Sequence, residues 1–163
     1  KSGDLLKVDV GVYFQGLHTD AARTMGVGKI SAAAQKIMSV TEESFWEGIK
    51  CLKEGAKLSS YSKQVQKYIE KNGLAVVRNL VGHGVGKEIH EDPYVPNFYN
   101  RKYEDLVLKS GMTLALEPMV NAGGFETVLG HDGWIFKSKD GSLTAHYENT
   151  VVITKEGVEV LTI

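Results

Sequence analysis

The sequence predicts a single α+β domain, because two helical segments lie between two groups of strands. Apolar residues alternate through the first thirty or so positions, helical spacing runs from Ser31 to Gly73, and short apolar runs broken by glycine and proline follow. A chain of 163 residues is long enough for one domain with a hydrophobic core and too short to expect two. We therefore assign residues 1–163 to one domain.

The composition excludes several classes of partner. The chain carries 19 basic and 20 acidic residues, a formal net charge of −1, and no run of like charges, so neither nucleic acid nor a membrane surface is favoured. Cys51 is the only cysteine, which excludes an internal disulfide and a thiolate metal cluster. The sequence has no apolar stretch of membrane-spanning length and no signal peptide, and we expect a cytoplasmic protein.

The first predicted element is a β-hairpin. Leu6, Val8, Val10 and Val12 form one continuous apolar face of a strand, 14–17 is the turn, and 18–27 is the returning strand. A turn at 14–15 would place Asp9 directly across from Asp20, whereas a turn at 15–16 would make them diagonal neighbours on one face. Facing carboxylates destabilise a strand pair unless a cation neutralises them, although both could also be solvated on an open sheet face.

Two helices follow and are expected to act as scaffold. In the first, Ile37, Val40, Phe45, Ile49 and Leu52 are spaced to face the core, and Gly55 is the expected stop. Ser59 or Ser60 is the expected N-cap of the second, which carries Val65, Tyr68 and Ile69 and ends at 72–73. A β-rich run over 75–80 then leads to the next motif.

The glycine-flanked His83 is the centre of the sequence. Glycine on both sides lets the backbone turn tightly and lets a ligand approach closely, so we predict an exposed imidazole. Residues 91–100 are predicted to be loop. His90, directly before this loop, could donate a hydrogen bond to a carbonyl or oxyanion, or it could be a loop histidine satisfied by its neighbours.

The last part of the chain supplies two more carboxylates. Glu117 is the only charge in the predicted strand 112–119, and a buried unpaired carboxylate is costly, so metal binding is favoured over an ion-paired core glutamate. Turns are predicted at 130–133 and 139–142. The strand predicted from Thr144 to Thr154 carries Glu148, and a turn at 155–157 leads to a last strand over 158–163.

Asp9, Asp20, His83, Glu117 and Glu148 together form an oxygen-rich ligand set. Such a set suits a pair of divalent ions, such as Co²⁺, Mn²⁺, Fe²⁺ or Zn²⁺, better than a structural zinc. Two ions could activate water for hydrolysis of a peptide bond at a free N-terminus, with Glu117 transferring a proton from the water to the leaving amine.

The motifs of the whole chain resemble those of the type I methionine aminopeptidases of the pita-bread metallopeptidase family. In that family the ligands are two aspartates eleven positions apart, the histidine of Gly-His-Gly, the glutamate of Glu-Pro and a glutamate before a threonine. The matching segments here are Asp9 with Asp20, 82–86, 90–93, 117–123, 132–134 and 147–150. The resemblance implies a pita-bread fold, an antiparallel sheet backed by helices, and removal of N-terminal methionine from peptides and nascent proteins.

The resemblance also implies roles for residues around the metals. Trp134 would border the pocket for the methionine side chain, His90 would contact the substrate, and His18 would support the ligands from outside. Ile89 stands where phenylalanine is common in the family, which predicts a changed or looser pocket. The chain starts without methionine, after the family's leading segment, so we expect an N-terminally shortened domain.

Three other hypotheses stay open at this point. One is a proline-specific aminopeptidase with the same metals, opposed by the contexts of Glu117 and of 132–134. A second is a binding or scaffold protein that kept the fold without catalysis. The third is a shortened chain that binds metal but is inactive. We expect a monomer, with reduced stability and self-association if the shortened sheet leaves core surface uncovered.

Overall fold

The fold was taken from a computed structural model that describes residues 1–102 and 105–162. Over these residues the chain forms two helices and twelve strands, and the sheets are antiparallel, so the fold is of the predicted α+β class. The elements are β1 Leu5–Phe14, β2 Leu17–Gly26, α1 Ala32–Ile49, α2 Leu58–Lys71, β3 Ala75–Val76, β4 Gly82–Gly84, β5 Glu91–Val95, β6 Thr113–Leu116, β7 Met119–Asn121, β8 Thr127–Leu129, β9 Phe136–Ser138, β10 Thr144–His146, β11 Asn149–Ile153 and β12 Val158–Val160.

The strands are paired in antiparallel sheets. Strands β1 and β2 form one hairpin, and β8 and β9 form another. A three-stranded sheet has the order β10-β7-β3, and a five-stranded sheet has the order β12-β11-β6-β4-β5. Both helices contribute to the apolar core with the inner sides of the sheets. Neither of the helices in the described residues is long and apolar enough to cross a bilayer.

Helix α1 begins and packs as its sequence predicts, but it ends early. The backbone N–H of Ala34 donates to the Ser31 side chain at 3.1 Å, which makes Ser31 the N-cap. Ile37, Phe45 and other apolar residues of one face are buried in the core. The predicted stop at Gly55 is wrong, because the helix ends at Ile49 and Gly55 serves a later turn with a φ of +79°.

Helix α2 starts before the serines that were predicted to cap it. Its N-cap is Lys57, whose side chain makes no capping hydrogen bond. The carboxylate of Asp105 supplies the missing acceptor, since it receives hydrogen bonds from the Ser59 backbone at 3.1 Å and the Ser59 hydroxyl at 2.9 Å. A cap contributed by a distant residue leaves no local sequence pattern. The helix ends at 72–73 as predicted.

The first hairpin turns at Gln15-Gly16, where both residues have positive φ, 50° and 88°. This turn pairs Asp9 with Ala22 and Asp20 with Gly11, so the two aspartates are diagonal neighbours on one face. The second of the two possible registers is therefore the one formed. Both carboxylates point to the same side of the hairpin, toward the rest of the molecule.

The opposite face of the hairpin is apolar and open to solvent. Its exposed members are Leu6, Val8, Val10, Val12, Phe14, Leu17 and Met25. The alternation in the sequence correctly predicts that these side chains share a face. Because the face that carries the aspartates is the one packed against the molecule, burying Asp20 and Ala22, the apolar face is directed outward.

Two later segments differ from the sequence prediction. The predicted loop 91–100 begins with strand β5, because Glu91 pairs with Gly84 and Val95 with Gly82. The predicted strand from Thr144 to Thr154 is two strands in different sheets, β10 beside β7 and β11 between β6 and β12. The chain changes sheet at Tyr147-Glu148, where the backbone of Glu148 instead exchanges hydrogen bonds with Ala22 of β2. Alternation alone does not reveal such a change of partner.

Candidate metal centre

The five predicted ligands come together where three groups of strands meet. Asp9 and Asp20 project from the β1–β2 hairpin, and His83 is the middle residue of β4. Glu117 follows the last residue of β6, and Glu148 occupies the junction between β10 and β11. Side chains at strand ends and junctions can point into a site without interrupting a strand interior.

Their donor atoms form two overlapping triads. One oxygen each from Asp9, Asp20 and Glu148 lie within 4.8 Å of one another, and so do ligand atoms of His83, Glu117 and Glu148. His83 Nε2 is 3.6 Å from Glu117 Oε1 and 3.9 Å from Asp20 Oδ2. Glu148 belongs to both triads, so its carboxylate connects them.

Three of the four carboxylates are buried without an ion pair to lysine or arginine among the described residues, and the charge of Arg23 acts on Glu148 without offsetting its burial. Asp20, Glu117 and Glu148 are only 7%, 9% and 1% exposed. Within the described ranges, no lysine or arginine forms an ion pair with these carboxylates, and their ion-pair contacts are with histidines. Because burying uncompensated carboxylates is costly, these residues fit divalent cations well.

The pKa values in the absence of metal reflect the same crowding. Burial, followed by the charges of Glu117, Asp20 and Asp9, raises the pKa of Glu148 from 4.5 to about 10. Burial is also the main cause that raises the pKa of Asp9, and the charge of Asp20 adds to it. A bound cation would favour the ionised form of both groups.

His83 is not the exposed group that its glycine neighbours predicted. The imidazole is buried, with Nδ1 2.8 Å from the Gly84 carbonyl oxygen. The two glycines are required by neighbouring backbone: an added Cβ would lie 2.4 Å from the Ala115 oxygen at Gly82 and 2.1 Å from the Asp92 oxygen at Gly84. They permit close strand packing around His83.

A cavity of about 500 Å³ opens beside the ligands. Asp9, His83 and Glu117 form part of its wall, and His90 and Trp134 line it from other sides. The His90 ring lies edge-on to the His83 ring, with centroids 4.4 Å apart. The Trp134 side chain is 85% exposed, so it borders the cavity as an open, accessible ring.

Two further sequence-predicted residues, Ile89 and His18, lie close by. Ile89 packs on the hairpin, where its Cδ1 is 2.8 Å from the position that a Cβ at Gly11 would take, and it is not among the described residues that line the cavity. The His18 ring nitrogen Nδ1 is 3.3 Å from the Gly86 oxygen, which ties β2 to the loop after His83.

Two ionisable residues of the cavity, Lys7 and His146, are among those that the sequence interpretation did not single out. Lys7 is two positions before Asp9, its Nζ donates a hydrogen bond to the Thr144 hydroxyl, and burial lowers the pKa of its amine. His146 is two positions before Glu148, and its Nε2 is 3.3 Å from Glu117 Oε2. Since residues two apart in a strand share a face, the period of two was the available signal for Lys7, which is in β1 with Asp9. It was not a signal for His146, because β10 ends there and Glu148 lies in the junction that follows.

Comparison with known proteins gives the family. The model of metallopeptidase family M24 matches residues 1–155. The chain belongs to metallopeptidase family M24. The metal dependence of M24 peptidases agrees with the ligand chemistry of this centre.

Within family M24, the chain is similar to proteins named methionine aminopeptidase. A methionine aminopeptidase of Clostridium perfringens is 49% identical over the whole chain. The crystal structure of methionine aminopeptidase from Thermotoga maritima superposes with a TM-score of 0.95 at 44% identity, over 99% of this chain. The chain spans about 65% of the length of each of these two proteins.

The X-Pro aminopeptidase of Thermotoga maritima shares the fold, with a TM-score of 0.80 at 21% identity over the full chain and 40% of its own length. These likenesses identify the architecture of this M24 chain as the pita-bread fold, as the sequence predicted.

Proposed function

We propose that this M24 metallopeptidase is an aminopeptidase that removes methionine from the N-termini of peptides and nascent proteins. The observation that carries the proposal is the pair of overlapping ligand triads, joined by Glu148, beside a cavity open to solvent. Identity of 44–49% to proteins named methionine aminopeptidase supports this substrate class.

The same residues define the proposed cofactor. Asp9, Asp20 and Glu148 would hold one divalent ion, and His83, Glu117 and Glu148 would hold the other. Co²⁺, Mn²⁺, Fe²⁺ and Zn²⁺ are all compatible with one imidazole and four carboxylates. Such ions supply Lewis acidity and lower the pKa of a bound water.

The protein side chains would provide binding and proton transfer. Glu117 would accept a proton from the attacking water and deliver it to the leaving amine, because its carboxylate faces the cavity. His90 is exposed beside His83 and would donate a hydrogen bond to the carbonyl of the scissile bond. The ring of Trp134 would contact the methionine side chain, and Ile89 would support the wall indirectly by packing on Gly11.

The proposal is tested by metal-dependent release of methionine. The protein is stripped of metal, resupplied with Mn²⁺ or Co²⁺, and incubated with Met-Ala-Ser, Met-Pro-Ala-Ser and N-acetylated Met-Ala-Ser. We expect free methionine from unblocked peptides alone. Glu117→Ala should abolish release, because it removes a ligand and the proton carrier together, whereas Glu126→Ala, a change at an exposed glutamate, should retain it.

Two controls separate the alternatives. Release of alanine from Ala-Pro-Ala in preference to methionine would favour the proline-specific alternative. Calorimetric titration with Mn²⁺ measures the number of ions, for which we expect two. Metal binding without release from any unblocked peptide would contradict the proposed activity and leave a metal-binding relative.

A further inference from the structure

His146 is a partly buried histidine outside the five-ligand set. It is the last residue of β10, where its backbone pairs with Met119. Its N–H donates to the Thr24 hydroxyl at 2.8 Å, and its carbonyl oxygen accepts from the same hydroxyl at 2.8 Å. The backbone of His146 is thus fixed to both β7 and β2, beside the centre.

Among the described residues, the ring nitrogen Nε2 is within ion-pair distance of one carboxylate, that of Glu117, and the charge of His146 also acts on Asp9. This nitrogen is fully enclosed and has no hydrogen-bond partner of good geometry among the described residues, yet Glu117 Oε2 is 3.3 Å away. The two side chains are 13% and 11% exposed. A buried N–H without an acceptor is costly, so a small adjustment that completes this hydrogen bond is favourable.

The two oxygens of Glu117 therefore have different neighbours. Oε1 is 3.6 Å from His83 Nε2 and belongs to the side of the ligand triads, whereas Oε2 is the atom next to His146. The backbone oxygen of Glu117 is held separately by the Asn97 amide at 3.0 Å. That contact fixes the backbone and not the orientation of the carboxylate, which His146 is placed to restrict.

We propose that His146 is a positioning residue, which donates a hydrogen bond from Nε2–H to Glu117 Oε2 and holds Oε1 toward the metal. Direct metal binding by His146 is less well supported, because His146 belongs to none of the three donor groups found in the described part of the chain. Hydrogen bonds to a ligating carboxylate fix its orientation, and losing such a partner typically weakens metal binding about 10- to 100-fold. The inference rests on the proposed metal site.

The test compares an isosteric donor with an apolar replacement. Mn²⁺ affinity is measured by calorimetry for the whole chain and for His146→Gln, His146→Leu and His131→Leu, the last a control at an exposed histidine. We expect His146→Leu to weaken the affinity about 10- to 100-fold. His146→Gln, which keeps an N–H donor, should restore it nearly to the wild-type value, and His131→Leu should leave it unchanged.

The outcomes distinguish this inference from the proposed function. If the unmodified chain binds no Mn²⁺, the metal site and the inference both fail. If it binds Mn²⁺ and His146→Leu binds equally well, or His146→Gln is as weak as His146→Leu, the positioning role alone is overturned.

A second measurement does not depend on the folding of a variant. Long-range nitrogen–proton NMR spectra of the unmodified chain report which ring nitrogen of each of the five histidines carries a proton. The proposal requires a proton on Nε2 of His146 both without metal and with Zn²⁺ bound. An unprotonated or metal-bound Nε2 would overturn it.

Discussion

Glu148 links the chemistry of single residues to the stability of the metal-free protein. Its carboxyl is 1% exposed, and burial among other acids raises its pKa from 4.5 to about 10. The folded protein therefore keeps this proton at pH values where the unfolded chain has released it. The resulting contribution to stability is complete below pH 4.5 and is lost as the pH rises toward about 10.

We expect the free energy of unfolding of the metal-free protein to fall between about pH 5.5 and pH 8, by up to about 1.4 kcal/mol per pH unit for this one proton. Asp9, whose pKa is also raised, acts in the same direction. Urea unfolding in excess chelator measures the effect.

Two comparisons isolate the cause. Glu148→Gln should flatten the dependence, because the amide carries no titrating proton, and saturating Mn²⁺ should oppose it by binding the ionised form. Metal-free stability that stays constant or rises over this range would contradict the assignment.

At the scale of elements, strand β4 carries His83, the one histidine in the two triads that share Glu148. It lies between β5 and β6, and the backbone of both neighbours approaches it so closely that a Cβ at Gly84 would be 2.1 Å from the Asp92 oxygen. Rigid backbone, unlike a flexible side chain, cannot yield to such a contact without moving a strand.

Gly84→Ala should therefore destabilise the protein by about 3 kcal/mol and displace His83, with weaker Mn²⁺ binding as a second effect. Gly157→Ala is the matched control, because a Cβ there meets nothing within 4 Å. Chemical unfolding and calorimetry provide the two readouts. Equal stability of the two variants would show that β4 has more room than the structure gives it.

The elements also explain what the sequence could predict. The hairpin, both helices and the end of the strand before Glu117 follow from local periodicity and turn residues. The cap of α2 by Asp105, the burial of His83 and the division of 144–154 into two strands depend on partners far along the chain. Local patterns were enough to suggest the candidate site residues. The contacts that fix their positions come from residues far away in the sequence, which local patterns do not reveal.

At the scale of the molecule, the β1–β2 hairpin presents an open apolar face to solvent. Leu6, Val10 and Val12 are about half exposed, and β1 also has a free edge within the described sheets. Apolar faces of this kind favour association between molecules.

We expect concentration-dependent self-association in sedimentation velocity, and less of it in the double variant Val10→Thr/Val12→Thr. Threonine has the strand preference of valine, and both positions are about half exposed, so the free energy of unfolding should change by less than about 1 kcal/mol. Val128→Thr, at an exposed valine on β8, is the control and should associate like the unmodified protein. A chain that stays monomeric at every concentration would contradict this expectation.

The position of Glu148 at a junction between sheets has a consequence for folding kinetics. The ligands span the chain from residue 9 to residue 148 and belong to separately hydrogen-bonded units, so no early local structure can contain the complete set. Contacts this distant in sequence form late, because packing must first compensate for the entropy that is lost when a long loop is closed. Metal capture should therefore be among the last events of folding, and stopped-flow metal uptake should follow the slowest refolding phase.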